Sequence, residues 1–143
     1  MRIRPFRKDD EDAVVTLWNE CGLTRAWNDP RKDIARKLTV QPELFLVAEE
    51  GGQLVATLMA GYEGHRGWVN YLAVSPPHRR RGYARVLMRE AETRLVAIGC
   101  PKLNVQVRSA NAEALDFYRA LGYLRDEAVS LGKRLIPDPP TAK

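Results

Sequence analysis

The sequence predicts an α+β fold: one domain with a central mixed, mostly antiparallel sheet of six or seven strands, flanked by about four helices. First, 143 residues with 45% hydrophobic and 29% charged residues suit a single domain with its own core. Second, three β-rich runs follow one another in the middle of the chain. Third, in the second half of the chain, segments with helical periodicity alternate with short β-rich runs. The predicted order over residues 1–136 is β-α-α-β-β-β-α-β-α-β-β, and residues 137–143 are predicted to form a disordered tail.

The first part of the chain predicts one strand and two helices. Residues Arg2 to Phe6 alternate polar and apolar side chains. Asp9 or Asp10 offers an N-cap for a helix with apolar residues at helical spacing. Asn28-Asp29-Pro30 then combines a cap with a proline suited to a first helical turn, which predicts a second helix ending before Pro42.

Three β-rich runs come next, namely Leu44 to Glu49, Leu54 to Tyr62 and Trp68 to Val74. The first two are separated by Glu50-Gly51-Gly52-Gln53, which is typical of a hairpin. We therefore expect a three-stranded antiparallel meander.

The second half predicts a long amphipathic helix that begins after Gly82 and ends at Gly99. Residues Leu103 to Val107 are predicted to form the next strand.

A further helix follows, for which Ser109 and Asn111 are alternative N-caps and Gly122 is the stop. Residues Tyr123 to Leu135 are predicted to supply the last one or two strands.

Composition limits the partners of this protein. The net charge is +5, which favours an anionic ligand. The basic residues are densest beside one glycine rather than along a tail or a helical stripe, so we expect a local anion pocket and no nucleic acid. No apolar run approaches the roughly 18 residues that a membrane span needs. We expect a cytoplasmic protein that does not enter a membrane.

The cysteines and histidines predict no metal site. Cys21 and Cys100 form neither a CxxC pair nor a ligand cluster with His65 and His78. Two reduced thiols are the simpler interpretation.

Residues 78–87, HRRRGYARVL, place arginines and a glycine where the long helix begins. A helix N-terminus has unpaired N–H groups and the positive end of the helix dipole, so it attracts anions. Arginine adds bidentate hydrogen bonds to phosphate oxygens. The segment therefore predicts a phosphate site, although an exposed arginine-rich turn is the alternative.

The pattern Arg79-x-x-Gly82-x-Ala84 resembles the acetyl-coenzyme A signature of GNAT N-acetyltransferases. Residues Asn70 to Leu87 resemble that family's fourth strand, pyrophosphate loop and third helix taken together. The pattern Asn-x-x-Ala-x-x-x-Tyr resembles the next family motif, at Asn111, Ala114 and Tyr118. The segments WNDP, GHRG and SLGKRLI, at 27–30, 64–67 and 130–136, resemble the small bacterial YpeA-type acetyltransferases.

The resemblance implies that the co-substrate is acetyl-coenzyme A (acetyl-CoA) and that the partner is an amine acceptor. It leaves a homodimer open. It implies a cofactor site made of the backbone beside the pantetheine arm, the pyrophosphate loop and two residues of the following motif, namely Leu72, Ala73, Val74, Arg79, Arg80, Arg81, Gly82, Tyr83, Ala84, Asn111 and Tyr118.

The resemblance also assigns the catalytic roles. Tyr118 would donate a hydrogen bond to the departing thiolate, and a main-chain N–H near Leu72 would bind the carbonyl oxygen. The base stays open, because Gln106 stands where related alanine N-acetyltransferases place a glutamate and cannot titrate. Glu63, His65 and an ordered water are the candidates, with water ranked first.

Trp27, Asn28 and Trp68 could line the acceptor pocket, since family members place the segment between the first two helices there. Packing of both tryptophans in the core is the alternative. A non-catalytic acyl-CoA-binding sensor is the second functional hypothesis. It would keep the loop of Arg79 to Ala84 without needing Tyr118. A nucleic-acid-binding protein is the third.

Overall fold

The computed structural model describes residues 1–138, which form a five-stranded sheet and four α-helices. The α+β class and the helix count agree with the prediction. The strands and helices, in chain order, are β1 (Arg2–Pro5), α1 (Glu11–Glu20), α2 (Pro30–Lys37), β2 (Phe45–Glu50), β3 (Gln53–Tyr62), β4 (Gly67–Val74), α3 (Tyr83–Ala97), β5 (Leu103–Val105) and α4 (Ala112–Ala120).

Local sequence signals explain the start of α2 and the β2–β3 hairpin. The Asp29 carboxylate caps α2 by accepting hydrogen bonds from the N–H groups of Arg31 and Lys32, and Pro30 opens the helix. The hairpin turns through Gly51 and Gly52, with φ angles of 58° and 79°. A two-residue hairpin turn of this kind needs positive φ at both positions, which glycine adopts without strain.

Asp10 precedes α1 but does not cap it through its side chain. Its carboxylate instead receives a bidentate contact from Arg4, with both N–O distances at 2.8 Å. Arg4 also pairs with Glu49 on β2. The predicted cap thus gives way to an ion pair that ties β1 and β2 to the start of α1.

The sheet order is β1-β2-β3-β4-β5. The first four strands are antiparallel neighbours, whereas β5 runs parallel to β4. Strand β5 pairs only with Gly67 to Val69, opposite Leu103 to Val105. In the described chain, residues 70–74 of β4 therefore continue past β5 with no strand on that edge.

Each face of the sheet is covered by its own helices and core. Helices α1 and α2 pack on one face around Trp18, Ile34, Phe45 and Val47. Helix α3 covers the other face, where its apolar stripe meets the small and aliphatic residues of β2 and β3, and Phe117 and Tyr118 of α4 pack at the margin. The two cores fix β4 from both sides, which matters for the site described below.

The predicted last strands, Tyr123 to Leu135, are wrong: the sheet has five strands rather than six or seven. This segment forms no ladder, and its apolar side chains are open to solvent, with Leu131 91% exposed. It attaches through polar side chains instead, such as Lys102 to Asp126 and Gln106 to Ser130. A segment with a β-like pattern forms a strand only where a free sheet edge can pair with it. The pattern itself does not show whether such an edge is present.

The predicted tail begins inside the described chain. Asp138 is only 4% exposed. Its carboxylate binds the guanidinium groups of Arg36 and Arg134 and accepts a hydrogen bond from the N–H of Asp29. This contact ties the end of the described chain to the start of α2. Residues 139–143 of the predicted tail lie outside the described residues.

Replacing Asp138 with alanine should lower the melting temperature by about 5 °C near neutral pH, because two guanidinium groups and one buried N–H lose their acceptor. The Arg36 guanidinium, followed by the Asp29 N–H, holds the pKa of Asp138 well below its usual range. A lowered folded-state pKa stabilises the fold above the unfolded pKa of about 4, and this stabilisation is lost as the pH falls further. The difference between wild type and variant should therefore shrink in acid.

Asp126→Ala is the matched control, since Asp126 makes a solvent-exposed ion pair with Lys102. Thermal unfolding followed by circular dichroism measures both variants. Equal melting temperatures for the two variants would contradict the predicted role of Asp138.

Candidate functional site

The junction between β4 and α3 leaves a row of main-chain N–H groups free. After β4, a short 3-10 turn, Pro76–His78, leads to Arg80 and Gly82, which have φ angles of 63° and 82°. Gly82 precedes the first residue of α3 and offers no side chain to cap it. Within the described chain, no main-chain acceptor outside the helix pairs with the N–H groups from Arg80 to Arg85. These donors and the helix dipole form an anion site.

The neighbouring arginines are exposed but differ in their contacts. Arg79 donates from Nε to the carbonyl of Val74, at 3.1 Å, and so fixes the end of β4 relative to the loop. Arg81 lies 3.7 Å from a carboxylate oxygen of Glu50. Arg80 makes no ion pair with any residue of 1–138. The loop thus presents positive charge that is only partly neutralised.

Strand β4 contains a β-bulge in its second half. Thr57 of β3 pairs with Ala73 and Met59 with Asn70, so Leu58 faces both Tyr71 and Leu72. A bulge of this kind takes one residue out of the ladder and turns its neighbours. Tyr71 adopts a φ angle of 52°, an unusual conformation for a bulky side chain in a strand.

A buried hydrogen-bond network fixes the bulge. Thr57 accepts a hydrogen bond from the Trp18 indole and donates one to the carbonyl of Tyr71, both at 2.9 Å. The rings of Trp18 and Tyr71 stack with centroids 3.7 Å apart. The Tyr71 hydroxyl donates to Asp33 of α2 at 2.6 Å. Burial and this carboxylate raise the pKa of Tyr71 well above its usual range, so the hydroxyl stays protonated.

A cleft of about 1600 Å³ lies beside β5 and meets β4 at Trp68 and Asn70. It is bordered by β4, β5, α4 and the segment 122–130. Trp68 and Tyr118 both line it. The cleft is large enough for part of an extended ligand, and its lining stops short of Leu72 to Val74.

Tyr118 lies on α4 and packs edge-on against Phe117 and Tyr123, with ring centroids 5.0 and 5.7 Å away. Among residues 1–138, no acceptor takes a hydrogen bond from its hydroxyl. Burial raises the pKa of Tyr118 to about 12. The side chain is therefore a neutral hydrogen-bond donor with its proton free for a ligand.

Asn111 begins α4, as one of the two predicted caps. Its side-chain oxygen accepts a hydrogen bond from the N–H of Ala114 at 3.1 Å. Because the oxygen is used in capping, the amide NH₂ group is what Asn111 can offer to a ligand.

Comparison with known proteins identifies the family of this chain. The model of the Acetyltransferase (GNAT) family matches residues 7–123. An acetyltransferase from Yersinia pestis (strain Pestoides F) is 50% identical over 138 residues, which cover 96% of this chain and 98% of the relative. The chain belongs to the GNAT acetyltransferase family. An acetyltransferase from Pectobacterium atrosepticum is likewise 50% identical, with the same coverage of both chains.

Solved structures confirm the fold of this GNAT enzyme. An aminoglycoside antibiotic 6'-N-acetyltransferase from Acinetobacter haemolyticus superposes with a TM-score of 0.76 at 23% identity, covering 95% of this chain and 99% of its own. A ribosomal-protein-alanine N-acetyltransferase from Brucella melitensis gives a TM-score of 0.71 at 24% identity, with coverage of 85% and 83%. GNAT enzymes use acetyl-CoA, so this chain is an acetyl-CoA-dependent acetyltransferase.

The two candidate bases of this acetyltransferase lie in the turn between β3 and β4. The Glu63 carboxylate accepts hydrogen bonds from the N–H groups of His65 and Arg66, and both contacts lower its pKa. A carboxylate held in this way is a weaker base than an ordinary glutamate. The side chain of His65 is exposed. Gln106 donates to Ser130 and has no titratable group.

The predicted acceptor residues lie at the surface. Trp27 is 59% and Trp68 38% exposed, so neither is a core tryptophan. Trp18 takes that place. Asn28 donates to Asp33 at 3.0 Å and accepts from Arg134 at 2.6 Å. Asn28 thus links α2 to the C-terminal segment beside a small cavity of about 310 Å³.

The network of Trp18, Asp33, Thr57 and Tyr71 was not predicted from the sequence. A signal for it exists in β3, because Thr57 interrupts an apolar run in a strand that is otherwise buried. A buried hydroxyl needs hydrogen-bond partners, which points to a polar contact inside the core.

Residues 1–138 contain no group of three histidine, cysteine, aspartate or glutamate side chains placed to hold a metal ion. Both cysteines are free thiols. Over the same residues, no helix has the length and apolar character needed to cross a bilayer.

Proposed function

We propose that this acetyltransferase moves the acetyl group of acetyl-CoA directly to a primary amine of a small molecule or polypeptide in the cytoplasm. The observation that carries the proposal is the uncapped start of α3 at Gly82, directly beside the edge of β4 that β5 leaves free. One anion site and one open strand edge suit the two parts of coenzyme A, its diphosphate and its extended pantetheine arm.

The diphosphate binds the N–H groups from Arg80 to Ala84, with Tyr83 contributing its main chain, since its side chain is buried. The exposed guanidinium groups of Arg80 and Arg81 add charge-assisted contacts, while Arg79 fixes the loop to β4. The pantetheine arm lies along Leu72 to Val74 as an added strand. The Asn111 amide NH₂ reaches the cofactor from the start of α4.

The reaction is a direct exchange at the thioester carbonyl. The amine nitrogen attacks the carbonyl carbon, the C–N bond forms, and the C–S bond breaks. The amine loses one proton, and the departing thiolate of coenzyme A ends as a thiol. The main-chain N–H of Leu72, turned by the bulge, binds the carbonyl oxygen as negative charge develops on it. Tyr118 donates a hydrogen bond to the sulfur.

An ordered water is the first candidate for taking the proton of the amine. Glu63 ranks below it, because two main-chain N–H groups lower the pKa of its carboxylate. His65 is the third candidate, because its exposed imidazole lies in the same turn and a neutral imidazole can accept a proton. Gln106 stands where the alanine N-acetyltransferases that this chain resembles place a glutamate base, and this difference argues against acetylation of peptide N-termini.

We assign acceptor binding to Trp27, Asn28 and Trp68, although Asn28 and Trp68 border different cavities. The exposure of both tryptophans supports this assignment, since an apolar ring open to solvent can pack on an incoming ligand.

Thermal unfolding with and without acetyl-CoA tests the proposal. A ligand at about 100 times its dissociation constant adds roughly 2.7 kcal/mol of stability, so we expect a clear rise in melting temperature. Release of free thiol, followed over a panel of amines and N-terminal peptides, then finds the acceptor. A shift without thiol release for any amine would favour an acyl-CoA sensor. No shift, together with salt-dependent DNA binding, would contradict the proposal outright. Sedimentation separately tests for the homodimer.

A further inference from the structure

Tyr71 is held at three points, although it is not among the residues predicted to form the site. Its ring stacks on Trp18, its carbonyl accepts from Thr57, and its hydroxyl donates to Asp33. Trp18 and Thr57 are fully buried. A bulky residue at positive φ persists only where the surroundings hold it, so these contacts maintain the conformation.

Asp33 is itself fixed by two further donors. Asn28 donates to it at 3.0 Å, and Arg36 lies 3.2 Å away on the next turn of α2. Arg36 in turn binds the buried carboxylate of Asp138. The position of the Asp33 carboxylate is therefore fixed. It would not follow the Tyr71 hydroxyl if that hydroxyl moved.

We infer that Tyr71 is a positioning residue: its hydrogen bond to Asp33 holds the β4 bulge so that the N–H of Leu72 faces the thioester carbonyl. The inference rests on the proposed function and adds to it a residue that touches neither the cofactor nor the acceptor. Leu72 directly follows Tyr71, so a rotation of the Tyr71 backbone turns the intervening peptide and its N–H.

A purely structural role is the alternative, because an aromatic ring stacked on a buried tryptophan stabilises the core without a hydroxyl. The two roles differ in what loss of the hydroxyl does. Loss of a stabilising contact lowers the melting temperature and leaves turnover unchanged. Loss of positioning lowers turnover and weakens the hydrogen bond to the carbonyl while binding of the cofactor persists.

Tyr71→Phe keeps the ring and removes the hydroxyl. We expect kcat to fall by about tenfold, with KM for acetyl-CoA nearly unchanged. This fall in kcat is smaller than the one caused by deleting an oxyanion donor, because the Leu72 N–H is misaligned rather than absent. The infrared band of the carbonyl in bound ¹³C-labelled acetyl-CoA should move to higher wavenumber than in the wild type, because a weaker hydrogen bond strengthens the C=O bond.

Asp33→Asn and Asp33→Ala form a second pair. The asparagine keeps an oxygen that can accept from Tyr71, so this variant should retain most of kcat. The alanine should lose at least as much kcat as Tyr71→Phe, because Asn28 and Arg36 also lose their acceptor. Thr93→Val is the control, because the Thr93 hydroxyl donates to the carbonyl of Arg89 on the exposed face of α3. It should leave kcat and the carbonyl band unchanged.

Wild-type kcat in Tyr71→Phe, or a loss of kcat without a shift of the carbonyl band, would overturn the inference. These results leave acetyl-CoA binding and turnover by the wild type intact. A wild type that neither binds acetyl-CoA nor releases thiol would instead overturn the proposed function, and the inference with it.

Discussion

Gly82→Asp should weaken acetyl-CoA binding by at least about tenfold relative to Gly82→Asn, a difference of roughly 1.4 kcal/mol. Both side chains have the same size, and both tolerate the left-handed conformation that Gly82 adopts at φ 82°. A Cβ atom at this position meets nothing within 4 Å, so neither substitution disturbs the packing. The two variants differ in one negative charge placed beside the expected diphosphate.

Isothermal titration with acetyl-CoA measures this difference. The asparagine variant accounts for any backbone strain and for the volume added near the ligand. High salt should narrow the gap between the variants, because the repulsion acts through solvent at an exposed loop. Equal affinities at low salt would show that the diphosphate lies away from the start of α3.

Tyr118→Phe should reduce kcat by at least about tenfold, roughly 1.4 kcal/mol of barrier, with little change in the affinity for acetyl-CoA. Tyr118 has a pKa of about 12, whereas a thiol has a pKa near 8.5. Transfer of the phenol proton to the thiolate is therefore unfavourable. Its contribution is then a hydrogen bond that strengthens as charge develops on sulfur. Removal of such a hydrogen bond lowers kcat but does not change binding of acetyl-CoA in the ground state.

Steady-state kinetics at saturating acetyl-CoA and acceptor test this role. Tyr123→Phe is the matched control, because Tyr123 packs against Tyr118 but donates its own hydroxyl to Glu92. We expect that variant to keep kcat within about twofold of the wild type, since its lost bond is remote from the sulfur. Tyr118→Phe with the turnover of the control would remove Tyr118 from the mechanism.

The loop at Gly82 could be predicted from the sequence because its determinants are local. A glycine, a helical period and a group of arginines lie within a few residues of one another, and each has a conformational or electrostatic meaning without the rest of the fold. Asp29 and Asn111 were predicted as caps for the same reason.

Features that depend on distant partners could not be predicted. The bulge at Tyr71 requires Trp18, Asp33 and Thr57, which come from three other elements. Asp10 makes no side-chain cap for α1, since its carboxylate binds Arg4 of β1 and the N–H of Arg7 instead. In each case a tertiary contact decides between local alternatives that the sequence pattern allows equally.

The chain after α4 shows the same limit in a strand prediction. Residues 123–135 carry β-forming side chains, but whether they add to a sheet depends on the edge beside them. Here their contacts are polar, and the final contact that fixes the segment is Asp138 with Arg36. Burial of an aspartate near the end of the chain has no signature in hydrophobic periodicity.

A crystal structure of the complex with acetyl-CoA would show where the diphosphate binds. We expect its oxygens to lie about 2.7–3.2 Å from main-chain nitrogens between Arg80 and Ala84, with the thioester carbonyl facing the N–H of Leu72. A diphosphate bound at any other surface, with those nitrogens facing only solvent, would contradict this expectation.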